Sequence, residues 1–397
     1  MSVKVLFISW DSPHTSYMEG LFMPIFSEVQ NQSKYVFHVI QFTWAKPEKI
    51  RSIQKAAGEL HIFYTPRAIN RTLVPILGNL FTLYKGIGFL KKYITENNID
   101  IVMPRSTMPA FMINRIPKGK FKVVFDADGL PLEERVDFSG LSRESRQYQS
   151  LKKEENKMLQ VADGVLTRSH EAIKIHLETV EYKKPEKFSV VLNGRNTDFF
   201  KPNALERENK RKELKISDQT KVFVYCGSLG PQYGWDEMIT ILRNYRHKNP
   251  NALFLILTGN VAFANIRIPI DLKENIIVKT VPFAEIPQYL SAADVAFAIR
   301  EPKFSMKGVA PIKLGEYLLM GIPAIASIGI GDTEQILNGI PNCFIYDHQD
   351  PKRIAAAVAF VDDLGETNFE EIRKFAMPYF SIAKGADSYC NALAKLK

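Results

Sequence analysis

A double alternation constrains this chain most. Short apolar, β-branched runs at Lys4–Trp10, Val36–Phe42, His61–Thr65, Ile99–Met103, Lys122–Asp126, Val165–Thr167 and Phe188–Leu192 are separated by longer stretches with helical spacing. Such runs read as strands buried on both faces, and strands that alternate with helices pair in parallel. The series stops near Asn193-Gly194 and Lys201-Pro202. A charged, apolar-poor segment, Ala204 to Gln219, follows, and then a second series begins: Val222–Cys226, Leu253–Thr258, Ile276–Lys279, Val295–Ile299, Ala324–Ser327 and Cys343–Tyr346. The sequence therefore predicts an α/β chain of two Rossmann-like domains facing a central cleft, about 1–195 and 196–379. Ligands of such sheets bind beyond the carboxyl ends of the strands.

The 397 residues exceed what one core supports, and 46% of them are apolar, enough for two. No apolar run approaches the roughly 18 residues of a membrane span. The opening, MSVKVLFISWD, is cut by Asp11 and reads as a first strand, not a signal peptide. Cys226, Cys343 and Cys390 are widely spaced, which suggests neither a disulfide framework nor a metal knuckle and fits a reducing cytoplasm. The net charge of +9 lies mostly in the N-terminal half. Without a helix-turn-helix, zinc or RNA-binding signature, that excess points away from nucleic acid and toward anionic lipid or a phosphorylated acceptor.

Two stretches carry chemistry. Val295 to Ile299 opens into a loop with Arg300, Lys303, Ser305 and Lys307, and a helix follows from Pro311 to Gly321. Proline suits a first helical turn, and the free N–H groups and dipole of that turn receive phosphate. Lys313 and Glu316, three apart, share a face, so an ammonium can meet phosphate while a carboxylate accepts from ribose hydroxyls. A surface ion pair at the same spacing is the simpler alternative. In the second stretch a buried strand delivers Gly227-Ser228-Leu229-Gly230, where glycine lets backbone approach a diphosphate before a helix from Trp235.

FSMKGVAPIKLGEYLLMGIPAIA followed by Gly329–Asp332 resembles the donor-site segment of family 4 glycosyltransferases, retaining enzymes of the GT-B fold. The resemblance implies that Glu316 holds the nucleotide's ribose and that the basic loop meets the diphosphate. The implied donor site is Gly227, Ser228, Gly230, Ser305, Lys307, Lys313, Leu314 and Glu316. The chain has Gly308 where the family has a second glutamate, and Tyr233 and Trp235 where many members have Arg and Lys, so Lys307 and Lys313 are expected to meet the phosphates. FSVVLNGRNTDFFKP resembles the family's hinge, with Asn193-Gly194 free to take positive φ. The resemblance also implies that the last helix, about 380–397, crosses back onto the first domain. The implied activity is transfer of a sugar from a nucleoside-diphosphate sugar to a hydroxyl in bacterial-type cell-surface polysaccharide or glycolipid synthesis, with no metal and no cofactor required. A nucleotide-sugar epimerase of the same architecture and a non-catalytic nucleotide-sugar binder are the alternatives.

Asp126-x-Asp128 resembles the metal pair of the other large glycosyltransferase fold, a reading that two nucleotide-binding-type domains and a lysine-rich site oppose. The same pair also resembles an acidic loop of a family 4 branch, and Ser16 follows the first strand where the GT-B family often has a glycine-rich turn, so Ser16, Asp126 and Asp128 are the acceptor or cleft candidates. An Asp128-Gly129 turn is the plain alternative. His14 and His170 read as exposed or structural. The apolar stretch from Arg67 to Ile94, bordered by Arg67, Arg71, Lys85, Lys91 and Lys92, reads either as a membrane-surface segment or as core-facing helices broken near Pro75 and Gly78. The expected setting is cytoplasmic, on the inner membrane face if that segment binds lipid.

Overall fold

In the computed structural model the described residues are 2–13, 16–71, 75–181 and 184–396; His14 and Thr15 lie outside them. The chain divides into two compact units. One holds the residues up to Gly194 together with those from Ile382 onward, and the other is Arg195–Ser381.

The first unit is built on seven parallel strands: β1 (Val3–Asp11), β2 (Tyr35–Thr43), β3 (Phe63–Ala68), β4 (Ile101–Pro104), β5 (Lys122–Asp128), β6 (Gly164–Thr167) and β7 (Phe188–Val190), in the order β3-β2-β1-β4-β5-β6-β7. The second has six: β8 (Val222–Cys226), β9 (Leu253–Leu257), β10 (Ile276–Lys279), β11 (Val295–Ala298), β12 (Ala324–Ser327) and β13 (Cys343–Tyr346), in the order β10-β9-β8-β11-β12-β13. Both follow the Rossmann order, which reverses direction beside the first strand of each unit and opens a crevice at the carboxyl edge there. Every run read as a strand from its apolar content is a strand. Alternate residues of β8 feed two cores: Val222, Val224 and Cys226 pack on one face, Phe223 and Tyr225 on the other. Burial on both faces is why a run such as β8 is continuously apolar.

Two expectations give way to tertiary packing. Pro75–Glu96 is one uninterrupted helix, so Gly78 does not break it. A Cβ on Gly86 would lie 2.5 Å from Met112 Sδ, and this close approach buries the face that holds the helix. Neither Asn193 nor Gly194 has positive φ. Gly194 serves proximity instead: a Cβ on Gly385, in the final helix Ile382–Ala394, would come within 3.1 Å of its backbone. That final helix packs on Met23–Gln32 of the first unit, with the Phe26 and Tyr389 rings edge to face at 5.8 Å. The charged segment after Pro202 is also structured. It forms the helix Ala204–Glu213, whose Arg207 and Arg211 clasp Asp294, while Asp294 accepts from Val222 N at 2.7 Å. No helix among the described residues is long and apolar enough to cross a membrane.

Candidate functional site

The site in the second unit starts at the carboxyl end of β8. Cys226 N donates to the Tyr317 hydroxyl at 2.7 Å, which ties the helix Ile312–Leu319 to the strand. One turn before Tyr317 on the same helix, Lys313 is thereby laid over Gly227. A Cβ at Gly227 would sit 1.8 Å from Lys313 Cε, and Gly227 has φ +143°, so this position takes glycine on two counts. The two stretches singled out in the sequence thus meet at one point. The helix ends as its sequence implies: Pro311 is the N-cap, and Gly321, at φ +72°, closes the helix where a Cβ would lie 2.3 Å from Phe369 O.

Lys313 Nζ lies 3.1 Å from the Tyr225 hydroxyl and 4.3 Å from the Tyr233 ring centroid. Arg300 covers the same ring at 4.9 Å. Burial lowers the Lys313 pKa, and Arg300 adds to the fall while Tyr233 opposes it. Tyr233 therefore gathers two cations around its ring.

Glu316 is buried, and its Oε1 accepts from Arg195 at 2.8 Å. Burial raises its carboxyl pKa; Arg195 and then Lys313 pull it back. The surface-pair alternative does not hold, because Glu316 is inside and its ion-pair partner is Arg195. Sequence reasoning missed Arg195, for no local pattern links a residue entering the unit to a helix so far along the chain.

The remaining donor-side candidates divide. Ser228 is exposed, and its carbonyl accepts from the Tyr225 hydroxyl. A Cβ on Gly230 would meet nothing within 4 Å, so no protein contact demands glycine there. The expected loop at Ser305 and Lys307 is a 3-10 turn, Phe304–Gly308, with Ser305 and Gly308 buried and Lys307 exposed, 5.8 Å above the Phe304 ring. The backbone of this turn is held to the following loop by Gly331 N donating to Met306 O at 3.0 Å. The Leu314 side chain belongs to the core beside Tyr317 and Leu318, which leaves only its backbone for a ligand.

At the carboxyl edge of the first unit, Asp126 and Asp128 are engaged with cations. Asp126, fully buried, accepts from Arg168 at 2.8 Å and from Asp128 N at 3.0 Å. Arg105 pairs with Asp128 at 2.6 Å. Asp128 and Ser106 both stand at φ +64°, a strained region for such residues, at the ends of neighbouring strands. In the turn read at Asp128-Gly129, it is the aspartate that takes positive φ. Ser16 is exposed and its Oγ lies 3.2 Å from Lys49 Nζ. His170 is exposed, at the start of a helix capped by the Ser169 side chain. Among the described residues, one group could offer three ligand atoms to a metal: Glu237, Glu301 and His348, whose ligand atoms lie within 4.8 Å of one another.

The fold, two Rossmann-like units with a glycine turn and a lysine helix in the second, is that of GT-B proteins. Solved structures agree along the whole length. A glycosyltransferase from Rickettsia africae matches at a TM-score of 0.70 and 15% identity, covering 100% of this chain and 99% of its own. HepE of Anabaena, in complex with UDP-glucose, matches at 0.72 and 15%, covering 98% and 99%. The UDP-GlcNAc 2-epimerase of Neisseria meningitidis, bound to UDP-GlcNAc, matches at 0.59 and 12%, covering 99% and 100%. No curated protein matches in sequence. Residues 206–369, the greater part of the second unit, match the family described as glycosyl transferases group 1. This family match falls on the segment that carries Gly227, Lys313 and Glu316.

Proposed function

We propose that the chain is a retaining glycosyltransferase of the family 4 type, moving a hexose from a nucleoside-diphosphate sugar to a hydroxyl of a polysaccharide or lipid-linked acceptor. The meeting of Gly227 and Lys313 at the carboxyl end of β8 carries this reading, because that is where a parallel sheet of this order receives a diphosphate. Negative charge develops on the leaving diphosphate as the glycosidic bond breaks. Lys313, with Arg300 beside it and exposed Lys307 from the turn, supplies cations for that charge, so no divalent metal is required. Glu316, held as an acceptor, takes the ribose hydroxyls. HepE, of the same fold, is complexed with UDP-glucose, which makes a uridine nucleotide the first donor to try.

The acceptor side falls to the first unit, with exposed Ser16 and the partly exposed Asp128 as its polar groups. A peripheral position on an anionic membrane is supported by the helix Pro75–Glu96. Leu77, Leu80, Phe81 and Tyr84, each more than 40% exposed, form one stripe, and Lys91 and Lys92 continue it on the same face. Exposed Arg67, Arg71 and Lys85 lie alongside in sequence.

The test is thermal unfolding with UDP, GDP and ADP sugars, followed by donor turnover with and without acceptor in the presence of EDTA. Stabilisation by one nucleotide sugar and metal-independent, acceptor-stimulated release of the nucleoside diphosphate are expected. Interconversion of the donor sugar without nucleotide release would indicate the epimerase instead. Binding without turnover would indicate a nucleotide-sugar binder.

A further inference from the structure

We propose that Arg195 is a positioning residue for the donor's ribose: it holds Glu316 as an oriented carboxylate, with one oxygen on the guanidinium and the other left to accept from ribose hydroxyls. This rests on the reading of Glu316 as the ribose contact.

The geometry has three parts. Arg195 Nη2 meets Glu316 Oε1 at 2.8 Å, and both side chains are about nine-tenths buried. Arg195 is fixed through its own backbone, its N donating to Phe380 O at 2.7 Å and the residue bridging to Ser381, so the guanidinium is delivered from a braced segment. Glu316 is fixed from its helix, where Gly315 lets the Phe380 ring approach to 2.5 Å of where a Cβ would be. Phe380 thus contacts both partners' segments and sets their separation.

A buried carboxylate with no cation takes up a proton, and a protonated Glu316 would lose an acceptor that ribose needs. The groups facing Glu316 are few. Arg195 and Lys313 are the cations, and both favour the ionised form. The Cys226 thiol, pushed up to about 12 by burial, and the Tyr317 hydroxyl, pushed well above its ordinary value, stay neutral near pH 7. Arg195 is the largest of the influences that favour the ionised form.

The experiment is calorimetric titration of UDP into the full chain between pH 6 and 9, for wild type, R195Q, R195K and E316Q. In R195Q affinity should fall about tenfold relative to wild type at the acid end and less at the alkaline end, because Glu316 is protonated at higher pH without its partner. R195K should recover most of the loss. E316Q should bind weakly with no such profile, and any pH dependence it keeps belongs to Lys313. A merely structural Arg195 would lower affinity equally at every pH, and that result overturns the proposal. So does R195Q following the wild-type profile while E316Q is weakened. An E316Q that binds as tightly as wild type, or a wild type that does not bind UDP, contradicts the ribose reading instead. Should R195Q fail to fold, the double variant R195Q/E316Q leaves no unpaired buried charge. With R195K it completes the comparison: the double variant should bind no more weakly than E316Q alone, and a further tenfold loss would count against the proposal.

Discussion

Lys313 shows how far single residues explain the site. Its cationic tip sits among Tyr225, Tyr233 and Arg300, over a glycine that no other residue could replace without moving it. Replacing Lys313 with Ala should weaken UDP by about 1.5–3 kcal/mol, roughly 10- to 100-fold, the worth of a charged hydrogen bond to phosphate. Calorimetry checks this, and unchanged binding would move the phosphate elsewhere. The sign of the pH effect follows from burial. The folded Lys313 loses its proton at lower pH than an exposed lysine does, and a diphosphate bound there as proposed would pull that proton back. UDP affinity should therefore decline on the alkaline side starting below the pH at which an exposed lysine titrates, with proton uptake seen as a binding enthalpy that depends on the buffer. Lys313→Arg should remove that decline. Gly227→Ala should fold yet lose donor affinity, since its methyl group and Lys313 cannot share one place. At this scale the sequence revealed the residues with local spacing, Lys313 and Glu316, and hid those whose partners are distant. Arg195 is the clearest case, because an ion pair between residues so far apart leaves no periodic trace.

Elements were legible where burial dictates pattern and less so where packing overrides propensity. The thirteen strands among the described residues could be read as apolar runs, the central ones because they are covered on both faces, whereas the edge strand β3 is largely exposed. The uninterrupted helix Pro75–Glu96 could not, because Gly78 looks like a breaker until the packing of Gly86 on Met112 is known. Asn193-Gly194 likewise looked like a positive-φ turn, whereas Gly194 is small because Gly385 crosses it closely. The exposed stripe of that long helix predicts flotation of the protein with anionic liposomes and not with neutral ones. Adding salt should release it, because each lysine near a charged surface contributes only about 1 kcal/mol. Leu80→Ser/Phe81→Ser should reduce recovery without altering UDP binding; equal recovery with both lipids would argue against a charged-lipid site. The helix that carries Lys313 has its own stop. Gly321→Ala combines positive φ with a clash against Phe369 O, and chemical denaturation should show a loss of about 1–3 kcal/mol.

At the scale of the whole molecule, the two units differ in how much function their sequences display. The family match falls on 206–369, where a diphosphate bound as proposed would impose glycine, proline and lysine at fixed places along one crevice. The first unit has the same strand order, yet its polar edge is occupied by paired charges, Arg105 and Arg168 against Asp126 and Asp128. Such pairs look like open acidic sites in a sequence, since the cations come from other strands and loops. An acceptor bound there as proposed would vary while the fold does not, which leaves correspondingly little to read. On the proposed function, one site in the second unit binds the nucleoside diphosphate through a lysine and the ribose through a glutamate. The measurement that tests it most directly is the UDP affinity of Lys313→Ala, Glu316→Gln and their double variant against wild type at pH 7.5. The account predicts that each single change weakens UDP at least tenfold, and that Lys313→Ala alone weakens inorganic pyrophosphate as well. Wild-type affinity for UDP in both single variants would contradict it.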